Sequence, residues 1–133
     1  MDKAIFETAH LAALNDQQRA AVEAVNGPVL LLAVPGSGKT TVLITRLGYM
    51  TEVCGIAPEA ILTMTYTVAA TQEMRARFAA RFGVELAARL EFRTINGVCS
   101  RIIRAYDRAE RAERERADER RTPSGAENTS EEE

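Results

Sequence analysis

The chain has 133 residues, 46% of them hydrophobic and 27% charged, with a formal net charge of −2. That is enough for one domain with one core, in the composition range of soluble globular chains. Its longest unbroken apolar run, Val29 to Pro35, is far below the roughly 18 residues of a membrane span, and Met1-Asp2-Lys3-Ala4 does not open a secretory signal, so a cytoplasmic location is expected.

Fifteen of the seventeen basic residues are Arg. The tail from Thr122 to Glu133 holds four of the nineteen acids and no base, which leaves residues 1–121 at +2. That balance is compatible with contact to a polyanion, although Arg on a solvated helix face is the commoner case. Cys54 and Cys99 are read as reduced, buried thiols rather than a disulfide. The lone His10 has no Cys, Asp or Glu cluster around it, and no metal or catalytic role is expected of it.

In chain order, Asn15-Asp16-Gln17-Gln18 opens a helix, with Asn15 as N-cap and Gln18 three residues later as in a capping box. Ala21, Val22 and Val25 recur at helical spacing, and Asn26-Gly27-Pro28 ends the element. Val29 to Val34 is apolar without alternation, which predicts a strand covered on both faces, as in a parallel sheet. Lys39 to Tyr49 reads as a helix with Val42, Leu43, Leu47 and Met50 on one face. Gly55 and Pro58 break the chain. Ile61 to Tyr66 reads as a second strand. Thr67 can cap a helix over Val68 to Phe82, which Gly83 closes. Residues 84–90 fit no single element. Leu90 to Ile95 reads as a third short strand. A long helix begins near Asn96, with Val98, Ile102, Ala105 and Tyr106 on one side.

From Asp107 to Arg121 six acids and six arginines are interleaved with Ala. Pairs such as Asp107–Arg111 and Glu110–Arg114 stand at i, i+4, each worth about 0.2–0.5 kcal/mol. Residues 122–133 have the composition of a disordered acidic tail. The order strand, loop, helix, strand, helix, strand, helix predicts an α/β fold, a short parallel sheet with helices on its faces. A larger parent sheet would account for such apolar strands.

Between the first strand and its helix stands Ala33-Val34-Pro35-Gly36-Ser37-Gly38-Lys39-Thr40. A buried strand that empties into a small-residue turn ending Gly-Lys-Thr is the pattern of a phosphate-binding loop. Small residues let consecutive backbone N–H groups close around phosphate oxygens. Pro35 has no N–H, so the donors should run from Gly36 to Thr40. The following helix points its positive end at the phosphates. Lys39 would place an ammonium by the β and γ phosphates, and Thr40 would offer a hydroxyl to Mg²⁺. The ligand class is nucleoside triphosphate with Mg²⁺.

Further matches follow in order. Leu14-Asn15-Asp16-Gln17-Gln18 resembles the glutamine motif that precedes the phosphate loop in UvrD/Rep/PcrA-type superfamily-one DNA helicases. Ile61 to Met74 resembles their next motif, usually a Thr-Phe-Thr-Asn-Lys-Ala-Ala core ending in Glu-Met. Arg93 to Cys99 is similar to the third, usually Thr-Phe-His-Ser. The resemblance covers residues 11 to 106. It implies a partial RecA-like P-loop domain over 1–106, a charged helical extension over 107–121 and the tail over 122–133.

The resemblance also implies roles. Gln18 would read the adenine edge, and Ala33, Val34, Pro35, Gly36, Ser37, Gly38, Lys39, Thr40 and Thr41 would hold ATP. Tyr66 stands at the family's aromatic position for single-stranded DNA, and Thr65, Thr67 and Thr94 match positions near the DNA backbone. Competing structural readings are a helix-capping Gln18, a core Tyr66 and a helix-capping Thr67. The chain departs from the pattern in three places. Val34 replaces the usual Gly. Val68 and Ala69 replace Asn and Lys, which removes a base that could meet a phosphate. Asn96 replaces His.

A helicase of this family also needs a strand ending in Asp-Glu to hold Mg²⁺, and arginines from a second RecA-like domain. No run of four apolar residues followed by Asp-Glu occurs here. The expectation is therefore the N-terminal part of a UvrD-like motor domain, inactive alone. The alternative is a non-catalytic P-loop module that binds nucleotide or a partner. A small P-loop kinase fits worse, because of Gln18 and the Tyr66 and Thr94 regions.

Overall fold

In the computed structural model, which describes residues 1–121, the capping box read from the sequence is formed. The Gln18 N–H donates to the Asn15 side chain at 2.9 Å, and the Asn15 N–H donates to Gln18 Oε1 at 3.0 Å. Helix α2, Asp16–Glu23, starts there. Before it lies an element that residue periodicity did not announce. Asp2 caps α1, Lys3–Phe6, which widens into a π turn over Glu7–Leu11. Phe6 and Leu11 from this stretch are buried.

After α2 come α3, Lys39–Gly48, a second π turn, Tyr49–Val53, and a short 3-10 turn, Pro58–Ala60. Strand β1 is Leu62–Thr65, α4 is Val68–Phe82 and α5 is Val84–Arg89. Strand β2 is Glu91–Thr94, and α6 is Ile95–Arg121. Thr67 caps α4 as expected, accepting from the Ala70 N–H at 3.1 Å. Residues 84–90, unassigned from sequence, are largely α5. The acidic tail expected over 122–133 lies outside the described residues.

The architecture is mixed α/β, mostly helical, around a two-stranded parallel sheet. Leu62 pairs with Glu91, Thr63 with Phe92, Met64 with Arg93 and Thr65 with Thr94. Two of the three expected strands are therefore present. The third, Val29 to Val34, is not a strand among the described residues. A strand exists through the ladder it makes with a neighbour, and this run has none. Leu30 is 82% exposed, Leu32 83% and Val34 71%, with only Leu31 and Ala33 partly covered. The expected burial of both faces is thus corrected to one. Both cysteines are free, as expected, but exposed rather than buried.

The chain divides into a unit over Met1–Ile95 and a second from Asn96 onward. Two apolar clusters fill the first unit. One gathers Ile44, Leu47, Ile61, Phe78, Leu90 and Phe92. The other gathers Phe6, Leu11, Ala21, Val22, Val42 and Tyr49. Phe82 packs against both. Its ring stacks on Phe6 at 6.1 Å and meets Phe78 at 5.0 Å. That ring also sits on the backbone of Gly48, where an added Cβ would overlap it, 2.7 Å from Cε2. In the second unit, α6 buries no residue, and Glu110 pairs with Arg114 at 2.6 Å as expected.

Gly48→Ala separates two opposing effects. Alanine gains about 0.8–1.0 kcal/mol of helix propensity over glycine, while overpacking costs about 1–3 kcal/mol. Phe82 is hemmed in by Phe6 and Phe78, so the clash dominates and urea denaturation should show a net loss of stability. In a Phe82→Leu background the same change should become neutral or stabilising.

Candidate functional site

Helix α3 begins at the end of the Gly-rich turn. Gly36 and Gly38 have φ of 78° and 82°, a left-handed backbone that a β-carbon disfavours. The Ser37 N–H closes a turn on the Val34 carbonyl at 3.2 Å. Gly38 occupies the N-cap position of α3 without a side-chain cap. The N–H groups of Gly36, Gly38, Lys39 and Thr40 accordingly have no acceptor among the described residues. First-turn helix donors lack intrahelical partners and gather partial positive charge. The arrangement is a cradle of donors for an anion. Val34, in place of the usual glycine, is accommodated with no positive φ outside glycine.

Two further groups of this turn are available to a ligand or lack a partner. The buried Ser37 hydroxyl has no hydrogen-bond partner, and such an orphan asks for an explanation such as a ligand atom. The Lys39 ammonium is exposed and makes only a long contact to the Ala33 carbonyl at 3.4 Å. A cavity of about 260 Å³ lies alongside, lined by Asn15, Gln18, Leu31, Val34, Ser37 and Lys39.

Gln18 does more than cap. While its Oε1 accepts from Asn15, its Nε2 donates to the Ser37 carbonyl at 3.0 Å. One side chain thus ties the start of α2 to the Gly-rich turn. A carboxamide has two N–H donors and two oxygen lone pairs, so one of each remains for a ligand. The helix-capping and ligand-reading roles are compatible. Arg46 adds a second tie, donating to the Ala21 carbonyl at 2.9 Å, which fixes α2 against α3.

A second group of candidates sits at the carboxyl ends of the strands. Thr65 and Thr94 are register partners. Thr65 Oγ1 contacts Thr71 Oγ1 at 2.5 Å and donates to the Thr67 carbonyl at 3.1 Å. Tyr66 is 88% exposed, so the core reading fails and its ring faces solvent. Thr67 is occupied in capping α4. Ligands of parallel sheets gather at the carboxyl ends of strands, and Tyr66 and the threonines stand there.

Arg46 was not legible as a support of this turn, since it reads as one arginine among fifteen. The Ser37 hydroxyl was in the loop, but its burial without a partner is a tertiary fact. Among the described residues no group of three or more His, Cys, Asp or Glu could hold a metal, and no helix is long and apolar enough to cross a membrane.

Comparison with known proteins gives a consistent result. The sequence model of the UvrD/REP helicase N-terminal domain matches residues 14–128. The chain is 38% identical over 96 residues to DNA helicase II of Escherichia coli (strain K12), covering 72% of this chain and 13% of that protein. It is 39% identical over 94 residues to ATP-dependent DNA helicase UvrD1 of Mycobacterium leprae (strain TN), covering 71% and 12%. It is 36% identical over 91 residues to ATP-dependent DNA helicase PcrA of Leuconostoc citreum, covering 68% and 12%. The chain thus spans about an eighth of the length of these curated relatives.

Asn15→Ala removes one half of the capping box. It should cost about 1 kcal/mol in chemical denaturation, with hydrogen exchange rising at the Gln18 amide.

Proposed function

The chain belongs to the UvrD/REP helicase N-terminal domain family, and on that premise we propose that it is the ATP-gripping portion of an ATP-dependent 3′–5′ DNA helicase. The fold proposed is a partial RecA-like P-loop domain. In the complete family protein, ATP hydrolysis would drive translocation on single-stranded DNA. This chain binds Mg²⁺·ATP and does not turn it over.

The observation that carries the reading is the cradle itself. Gly36 and Gly38 are left-handed, four N–H groups at the start of α3 have no acceptor among the described residues, and the buried Ser37 hydroxyl in the same turn has no partner. The backbone N–H groups of Gly36, Gly38, Lys39 and Thr40 would hold the phosphates; that of Ser37, expected among them from sequence, is engaged with the Val34 carbonyl. Lys39 would neutralise the β and γ oxygens, and the Thr40 hydroxyl would take a place on Mg²⁺. Gln18 would pair with the adenine edge through its remaining donor and acceptor. Bound Mg²⁺ supplies charge neutralisation at the transferred phosphoryl group. No strand among the described residues ends in Asp-Glu to orient a water. Tyr66, solvent-facing at a strand end, would stack on a base without reading sequence.

A second reading, a non-catalytic module that binds nucleotide or a partner, is favoured by one observation. Val29 to Val34 presents exposed Leu30, Leu32 and Val34, and backbone groups without a ladder are a template for strand addition. The two readings share the nucleotide site and differ in what the exposed run meets.

Titration calorimetry with Mg²⁺·ATP tests the site. Lys39→Ala should weaken binding about tenfold or more, the scale of a lost hydrogen bond to a charged group. Steady ATP hydrolysis by pure protein, stimulated by single-stranded DNA and abolished by Lys39→Ala, would refute the absence of turnover. Tyr66→Ala should weaken binding of single-stranded oligonucleotides by about 1–3 kcal/mol, measured by fluorescence anisotropy at fixed salt. An unchanged affinity would remove Tyr66 from the DNA contact.

A further inference from the structure

The helix that carries Lys39 and Thr40 is held from behind by a polar chain. The fully buried Thr45 hydroxyl donates to the Thr41 carbonyl at 2.7 Å, in the first turn of α3. Arg81, next to Phe82 at the end of α4, donates to that same Thr45 oxygen at 2.6 Å. Its other nitrogens donate to His10 Nδ1 and to the His10 carbonyl, both at 3.2 Å. One guanidinium thus joins α4, the phosphate-loop helix and the N-terminal segment.

The local backbone is shaped for this. His10 lies in the π turn Glu7–Leu11, where the Ala12 N–H reaches back to the Glu7 carbonyl at 3.1 Å. A π turn shifts the hydrogen-bond ladder by one residue and is enriched at functional sites. Here the His10 carbonyl turns to Arg81. The imidazole is held between Phe6, at 4.7 Å, and Phe82, at 4.8 Å. The second π turn faces it with Glu52, whose carbonyl accepts from the Met1 amino group at 2.7 Å. On its own segment Glu7 stands near His10, paired with Arg19 at 3.0 Å and Lys3 at 4.0 Å.

We propose that His10 and Arg81 form a proton-sensitive latch that positions the phosphate-loop helix through Thr45. Arg81 is always a donor, so His10 Nδ1 can accept only while the ring is neutral, with its proton on Nε2. Protonation replaces the acceptor with a second donor and sets two cations together. Arg81 then leaves His10, and its hold on Thr45 loosens. Burial, and next the Arg81 charge, push the His10 pKa below its ordinary 6.5, while Glu52 pulls it back up. A pKa lowered by folding means the neutral ring's contribution is complete above the ordinary value and is lost as pH falls through the lowered one. The latch therefore opens as pH falls below histidine's ordinary range.

The consequence for ATP rests on the nucleotide reading above, whereas the latch does not, and the test separates them. Amide spectra of the ¹⁵N-labelled chain are followed from about pH 7.5 downward until the His10 imidazole has titrated fully. The Thr41 and Thr45 resonances should shift with the same midpoint as the His10 imidazole. In His10→Gln, whose carboxamide oxygen accepts from Arg81 without titrating, they should stay fixed. Mg²⁺·ATP affinity should fall several-fold more in wild type than in His10→Gln over this range, a comparison that cancels the titration of ATP's own phosphate. Thr41 and Thr45 shifts that ignore the imidazole midpoint, or that persist in His10→Gln, overturn the latch. If His10→Gln does not fold, coincident or separate midpoints in wild type decide alone. Absence of ATP binding at every pH overturns the nucleotide reading and leaves the midpoints to judge the latch.

Discussion

The seating of Phe82 on the bare backbone of Gly48 sets the frame for the rest of the first unit. The ring lies where two apolar clusters meet, in contact with Phe6 from one and Phe78 from the other. Only a residue without a β-carbon lets α4 come this close to α3. The close approach has a polar counterpart one residue away. Arg81 reaches the buried Thr45 from the same end of α4, and its guanidinium lies 5.6 Å from the Phe82 ring centre. An apolar contact and a charged one thus fix the same pair of helices.

The proposed nucleotide site takes its geometry from that pair. α3 carries the donors, and α2 brings Gln18 to the Ser37 carbonyl. Arg46 and the capping box keep α2 in place. Removing any one tie costs a modest energy, since a typical hydrogen bond contributes about 0.5–1.5 kcal/mol net. The position of the loop depends on their sum. The exposed run Val29 to Val34 shows where support is lacking. It leads directly into the cradle, yet no ladder holds it, so the loop is anchored on its helix side more firmly than on its strand side.

What could be read from sequence follows the range of the interactions. Asn15 with Gln18, and Thr67 with Ala70, are contacts within four residues, and the caps formed as expected. β1, α4 and β2 were found within a residue or two because their bounding turns are local. Val29 to Val34 had the composition of a buried strand, but a strand's pairing depends on residues elsewhere. The N-terminal π turn, the His10 contact with Arg81 across the fold and the exposure of Cys54 and Cys99 leave no periodic trace. Gln18 illustrates both sides. Its capping role was local and legible, whereas its bond to Ser37 appears only when α2 is packed on α3.

The central claim is that the turn from Gly36 to Thr40 grips the phosphates of ATP. Adding Mg²⁺·ATP to the ¹⁵N-labelled chain and following the amide resonances tests it most directly. The account predicts saturable shifts concentrated at Gly36, Gly38, Lys39, Thr40 and Thr41, with the Gln18 side-chain amide moving at the same concentrations. Resonances of this turn that stay fixed at saturating ATP, or shifts confined to another part of the chain, would contradict it.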